Sequence, residues 1–346
     1  MNSVVKADVE RVILRNPEYF SKFVQSDLVI TGASGFIGSW LVAAWICSRN
    51  FFGGSGQLVL TCRSTTAISS RFGIMPSDKD VILLDADIRE LSVKHKMKKP
   101  VFIHAATASS ARLNSEDPLE MINVIVEGTK RAIASAKQMN ASKFVFLSSG
   151  AVYGGALRDG VPVSEDDLRG PDLRDRRFAY HEAKRLAELI CQIEAQGSGI
   201  ELAILRLFTF VGAYLPIDTH FAIGNFIKAS LAGDTIAIKS DGKSVRSYQY
   251  AADLAALIII VSMKSMQRSV YNVGSSRQVS ILELANLVRD VMESNSGIEI
   301  QGMNTHTPNS FYVPDISRLE NELSWNDTFA LEDAILRTAN ALTDEF

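Results

Sequence analysis

From position 28 onward, short aliphatic runs alternate with longer amphipathic stretches. The apolar runs fall at 28–31 (LVIT), 58–62 (LVLTC), 81–85 (VILLD), 101–104 (VFIH), 143–148 (KFVFLS) and 201–207 (ELAILRL). Runs this short and this continuously apolar predict strands buried on both faces, as in a parallel sheet. Helical spacing fills the gaps, most clearly at 36–47, 119–139 and 179–195. The order predicts repeated βαβ units, hence an α/β fold with a Rossmann-type doubly wound parallel sheet over 28–212. Past Phe208 the alternation breaks into loops, a helix near 221–231 and a helix-rich stretch from 281. That predicts a smaller mixed α/β substrate-binding domain over 213–346, interleaved with the first because 247–263 return to it. Residues 1–27 precede the first strand, and the spacing of Val5, Val9, Val12, Ile13 and Phe20 predicts a packed helical extension. The run KHKMKKP at 94–100 reads as the solvated, positive end of a helix.

Composition narrows the function classes. With 346 residues, 47% of them hydrophobic, a large core needs no covalent staples. A net charge of -3 offers no broad positive field, so nucleic acid is excluded as the expected partner. The most apolar run, 254–263, is about half the length a membrane span needs, and the N-terminus lacks a signal-peptide core. No membrane association is expected. Cys47, Cys62 and Cys191 are widely spaced and odd in number, which frames neither a disulfide scaffold nor a metal site and suits the reducing cytoplasm.

Two segments carry chemistry. TGASGFIG at 31–38 sits between an apolar strand and an apolar helix. Gly32, Gly35 and Gly38 let the turn tighten and a pyrophosphate approach the backbone, where Ser34, Phe36 and Ile37 open the helix N-terminus. The second strand ends at Arg63 with no carboxylate to hold the adenosine ribose of NAD, so a 2′-phosphate, and therefore NADP, is favoured over NAD. Asp87 and Ile88 follow the third strand, where they face adenine or cap a turn. Tyr180 and Lys184 stand four apart on a helical segment and share a face. There a lysine ammonium, together with the positive nicotinamide of an oxidised cofactor, is expected to lower the tyrosine pKa from its usual value of about 10, so that the phenol exchanges a proton while hydride moves. Ser149, at the end of an apolar strand in LSSGAVYG, supplies a hydroxyl for the reacting oxygen.

Together TGASGFIG, FIHAAT, LSSGAVYG, YHEAK, LRLFTFVG, RSYQYAADLA, YNVGS and VPDISRLENELSW resemble the extended short-chain dehydrogenases/reductases, in the branch of NAD-dependent epimerases and dehydratases. The resemblance spans roughly 28–330. It implies an NAD(P)-dependent enzyme acting on a nucleoside-diphosphate sugar, a homodimer joined by two helices per subunit, Tyr180 as acid/base with Lys184 and Ser149, and Ala105 and Ala106 beside the cofactor. It also implies Arg246 on the diphosphate, with Asn225 and Thr209 near the substrate; Thr209 departs from a usual asparagine, and THTPNS lacks a second diphosphate arginine. Dehydratases carry Asp-Glu where this chain has Gly150-Ala151, which argues against dehydration. A 4-ketoreductase is the leading expectation and a 4-epimerase with retained NAD the alternative. A non-catalytic dinucleotide sensor is the rival class, disfavoured by the presence of both Tyr180 and Lys184. His104 is expected to be a packed core histidine, His181 and His220 to border the cleft, and Trp40 and Trp45 to be core.

Overall fold

The computed structural model describes residues 1–75, 78–108, 111–154, 160–216, 221–302 and 310–344. Its centre is a seven-stranded, wholly parallel sheet in the order Val270–Val273, Glu201–Leu207, Lys143–Ser149, Val101–His104, Leu28–Thr31, Leu58–Cys62, Val81–Asp85. The strand order reverses between Leu28–Thr31 and Val101–His104, which pair from Leu28↔Val101 to Thr31↔His104. That reversal opens the crevice in which doubly wound folds hold ligands. Six strands match the aliphatic runs; the seventh, Val270–Val273, comes from YNVGS.

Helices cover both faces. Phe36–Phe52 lies on one side, with Trp40 and Trp45 in the core. Pro118–Gln138 and Ala179–Ala195 pack together on the other. Ala251–Met263 is buried along almost its whole length, as a helix apolar on every side must be. It packs on Phe36–Phe52. What encloses it is the N-terminal extension, which forms two helices, Ser3–Arg15 and Pro17–Gln25, broken at Asn16-Pro17, where proline takes the first helical position. Val5, Val9, Val12, Ile13, Phe20, Phe23 and Val24 are all buried, and Asp8 is locked between Arg337 and the Tyr250 hydroxyl.

The segment 94–100 differs from the sequence expectation. It is irregular, because Asp27 Oδ2 accepts the Lys98 N–H at 2.7 Å and draws the chain towards the next strand.

The smaller lobe is built from short pairings. Val245–Arg246 pairs with Val279–Ser280 and with Phe311–Tyr312, while Ile236–Ile238 pairs with Ile298–Ile300. Phe210–Val211 pairs with Gln249–Tyr250 and ties this lobe to the end of the main sheet.

Candidate functional site

The glycine loop leaves the Leu28–Thr31 strand and enters the Phe36–Phe52 helix through Gly35. Gly32 has φ +68°, and a Cβ there would lie 2.7 Å from the backbone of Ala106; at Gly38 a Cβ would lie 2.3 Å from the Gly32 carbonyl oxygen. The loop therefore closes on itself and on the end of the Val101–His104 strand, where Thr31 Oγ1 accepts the Ala106 N–H at 3.2 Å. Ala105, Ala106, Ser34, Phe36 and Ile37 are half-buried around it, and Gly35 is exposed. No side chain caps the helix, so its first N–H groups remain available to an anion. A backbone cradle of this shape fits a dinucleotide pyrophosphate.

Around it, Arg63 is exposed at the end of Leu58–Cys62. Asp87 caps the short turn Ile88–Glu90 and binds Arg89 through both oxygens; hydrogen bonding to Arg89, with a smaller contribution from the charge of Arg63, lowers its pKa to about 2. Ile88 wedges against Gly128. Arg71 had no counterpart in the sequence reading. It donates to the Ser34 carbonyl oxygen at 3.3 Å and the Ser39 hydroxyl at 2.5 Å and lies over the Tyr214 ring, a tertiary contact that no spacing foretells.

Across the crevice, Ser149 closes the Lys143–Ser149 strand and accepts the Ala151 N–H at 3.1 Å. Tyr180 stands in the first turn of Ala179–Ala195, and Lys184 one turn further on is 1% exposed. The lysine Nζ donates to the Leu147 carbonyl oxygen at 2.8 Å and lies 6.0 Å from the centre of the Tyr180 ring. That carbonyl is the only hydrogen-bond acceptor it finds among the described residues, which leaves two N–H bonds for a ligand hydroxyl. Burial lowers its pKa to about 8, opposed by the nearby Glu188. In the protein alone, burial raises the pKa of the Tyr180 phenol, while hydrogen bonding to Ser149 pulls the other way. The Lys184 ammonium donates to Leu147 and makes no hydrogen bond to the phenol among the described residues.

Supports that periodicity missed hold these groups. Asn114 Oδ1 accepts the Tyr180 N–H at 3.1 Å and its amide donates to the Arg177 carbonyl at 2.9 Å, pinning the start of the helix. Glu188, one turn beyond Lys184, accepts from the Ser148 hydroxyl at 2.5 Å and from Arg206 at 2.7 Å. Arg206 in turn donates to the Tyr153 hydroxyl, which donates to Asn272 Oδ1 at 2.7 Å. The position of Glu188, four after Lys184, was the available signal; its partners come from distant strands.

On the substrate side, Arg246 is half-buried. It donates to the Val245 and Ser310 carbonyl oxygens and to the Ser310 hydroxyl, and it lies 5.7 Å from the Tyr312 ring centre. It makes no ion pair among the described residues; Asp253 instead accepts the Thr328 and Phe329 N–H groups. Thr209 and Asn225 are half-buried. His104 is buried and neutral, its pKa lowered to about 3 by burial, between the Thr31 and Thr129 hydroxyls. His181 packs edge-on against Phe178 and Tyr180. His220 and most of THTPNS lie outside the described residues.

Residues 28–274 match the model of the NAD dependent epimerase/dehydratase family. The chain belongs to that family. The match runs from the first strand of the sheet to the end of the seventh and so takes in every group just described except those of the C-terminal segment. Among curated proteins, UDP-glucuronic acid decarboxylase 1 of Arabidopsis thaliana is 27% identical over 316 residues, covering 90% of this chain and 68% of the relative. Among solved structures, the fold is shared with the UDP-N-acetylglucosamine 4-epimerase of Methanobrevibacter ruminantium (22% identity, TM-score 0.80, covering 93% of this chain and 99% of that one). It is shared too with the UDP-glucuronic acid 4-epimerase of Bacillus cereus, solved with UDP-glucuronic acid and NAD (21%, TM-score 0.77, 92% and 100%). Membership makes the chain an enzyme of the NAD-dependent epimerase/dehydratase type. No described helix is long and apolar enough to cross a membrane.

Proposed function

We propose that the chain is a 4-ketoreductase that acts on a nucleoside-diphosphate 4-keto-sugar. The observation that carries this reading is the convergence of Tyr180, Lys184 and Ser149 beside Gly150-Ala151, a pair that brings no proton donor or acceptor. Removing water from the sugar, or protonating carbon after loss of a carboxylate, calls for a further acid or base there. Reducing a ketone needs only one proton at oxygen.

A reduced dinucleotide, its pyrophosphate held by the glycine cradle, would supply the hydride. Ser149 hydrogen-bonds the ketone oxygen, and Tyr180 delivers its proton as negative charge develops there. The buried, protonated phenol suits this role as donor. Lys184 stabilises the phenolate left behind and has two N–H bonds for cofactor hydroxyls. Arg246, without a carboxylate partner among the described residues, takes the substrate diphosphate through its planar fork, with Thr209 and Asn225 bordering the nucleotide. The exposed guanidinium of Arg63 favours NADPH as the reductant.

The test follows NADPH absorbance with a panel of nucleoside-diphosphate 4-keto-6-deoxyhexoses. Oxidation is expected with the native chain, and a loss of about two or more powers of ten with Tyr180→Phe, cofactor affinity being retained. Absence of turnover in protein shown to bind cofactor would favour a dinucleotide sensor.

A 4-epimerase is the second reading, favoured by the 4-epimerases whose fold the chain shares. Tightly held NAD with interconversion of two sugars in the absence of added cofactor would establish it in place of the reductase.

The chain is also proposed to act as a cytoplasmic homodimer. Leu186, Leu189 and Ile193 form an outward apolar stripe, 45%, 55% and 60% exposed, on the helix whose inner face carries Tyr180 and Lys184. Light scattering of a Leu189→Lys/Ile193→Lys variant should give a monomer; an unchanged mass would remove that face as the interface.

A further inference from the structure

The reaction as derived leaves Tyr312 idle, yet its hydroxyl stands inside the catalytic cluster. Tyr312 pairs in register with Arg246 in the small sheet, so one pairing carries both side chains towards the crevice. Its ring packs on Phe208 with centroids 4.7 Å apart. Its hydroxyl fills the space left by the missing side chain of Gly150: a Cβ there would lie 2.7 Å from that oxygen and 2.8 Å from the Phe208 ring. Gly150 follows Ser149 directly, so the Tyr312 hydroxyl reaches the crevice immediately beside the catalytic serine.

A serine hydroxyl has one proton to give and two lone pairs. The Ala151 N–H occupies one lone pair of Ser149 at 3.1 Å. Two phenols, Tyr180 and Tyr312, compete for what remains, and Ser149 acts on both. Burial keeps Tyr312 protonated, hence a donor. We propose that Tyr312 is a positioning residue for the catalytic hydroxyls: by donating to the second lone pair of Ser149, it directs that serine's only proton to the oxygen served by Tyr180. A hydroxyl that accepts two hydrogen bonds is polarised into a stronger donor. Ser149 thereby becomes a fixed donor to the Tyr180 phenolate in the cofactor complex, and Gly150 is required because any side chain would displace the Tyr312 hydroxyl.

This inference rests on the proposed role of Tyr180 in proton transfer, but its test does not depend on finding the substrate. The other groups facing that phenol are Lys184 and His181 on its own helix, with His181 kept neutral by burial, its pKa lowered to about 4, and Arg246 on the far side of Tyr312. The ionisation of Tyr180 is read as the tyrosinate absorbance of the complex with NAD+ or NADP+, whichever binds more tightly, after subtraction of the Tyr180→Phe titration. Tyr312→Phe is expected to raise that pKa by roughly half to one pH unit, the equivalent of one lost hydrogen bond. In a Ser149→Ala background the same substitution should produce no shift. Cofactor affinity, measured by fluorescence, should be equal in all variants. An unmoved Tyr180 titration in Tyr312→Phe, or a shift that persists without Ser149, would overturn the proposal. Failure of the whole sugar panel would instead remove the ketoreductase reading and leave this result standing.

Discussion

Lys184 is a charge placed where packing alone would put an apolar residue. It is 1% exposed, lies against Phe146 and, among the described residues, reaches a single carbonyl oxygen. Its pKa falls from 10.5 to about 8 because burial disfavours the ammonium, which corresponds to about 3 kcal/mol of destabilisation, a penalty retained because the site needs the charge. The folded chain holds this proton less tightly than the unfolded one. Stability therefore rises with pH between about 8 and 10.5, and the full penalty is present below about 8. Lys184→Met should melt at higher temperature than the native chain at neutral pH, should lose the stability gain above pH about 8, and should be inactive. A lower melting temperature would mean that the ammonium is better satisfied than its one bond indicates. Arg63 is the opposite case, an exposed cation at the end of the Leu58–Cys62 strand. Arg63→Ala should weaken NADPH roughly ten-fold or more and leave NADH nearly unchanged, as expected for the loss of one charge-assisted pair. An unchanged ratio of the two affinities in titration calorimetry would assign Arg63 to solvent.

At the scale of elements, the strands and main helices were readable because each is a continuous apolar run or stripe, and the glycine loop because steric demands at Gly32 and Gly38 leave a mark in the sequence. The supports of the site were not. Asn114, Glu188, Arg206 and Tyr312 come from separate segments, and their roles arise from contacts between distant positions, such as that of Asn114 with Tyr180, 66 positions apart. Local pattern carries no such information. The burial that raises the pKa of Tyr180 is likewise a property of the assembled cleft. Asp253 is a further example. It opens the Ala251–Met263 helix and accepts the Thr328 and Phe329 N–H groups, so it fastens the C-terminal segment to a buried helix. Burial, with the neighbouring Asp327, raises its pKa from 3.8 to about 7. The folded state therefore holds this proton more tightly, and its contribution to stability falls as pH rises from about 4 to about 7. Comparing melting temperatures across that window, the native chain should lose more stability than Asp253→Asn, which keeps one acceptor oxygen and does not titrate. Parallel curves would show that Asp253 is already ionised throughout.

At the scale of the whole molecule, the extension is the feature whose existence the sequence indicated but whose placement only the fold explains. The family match begins at residue 28, yet the core does not. Ala251–Met263 is apolar all round, and a helix of that kind on the outside of a sheet requires a second cover. Ser3–Arg15 and Pro17–Gln25 provide it, packing on Phe36–Phe52 and Ala251–Met263 together. Asp8 then binds Tyr250 and Arg337, so the first helix, the sheet-linking Gln249–Tyr250 segment and the last helix meet at one carboxylate. Phe36–Phe52 is also the helix that presents the glycine cradle at its opposite, N-terminal end. Phe20→Ala, which empties a fully buried position, should therefore destabilise the entire chain by about 3–5 kcal/mol in a single cooperative transition seen alike by near-UV and far-UV circular dichroism. Bound cofactor should recover part of that loss, since a ligand held by the native cradle favours the folded state in proportion to its concentration over its dissociation constant. If the extension instead melted alone, leaving the main transition and cofactor binding as in the native chain, it would be an appendage and not part of the core that holds the site.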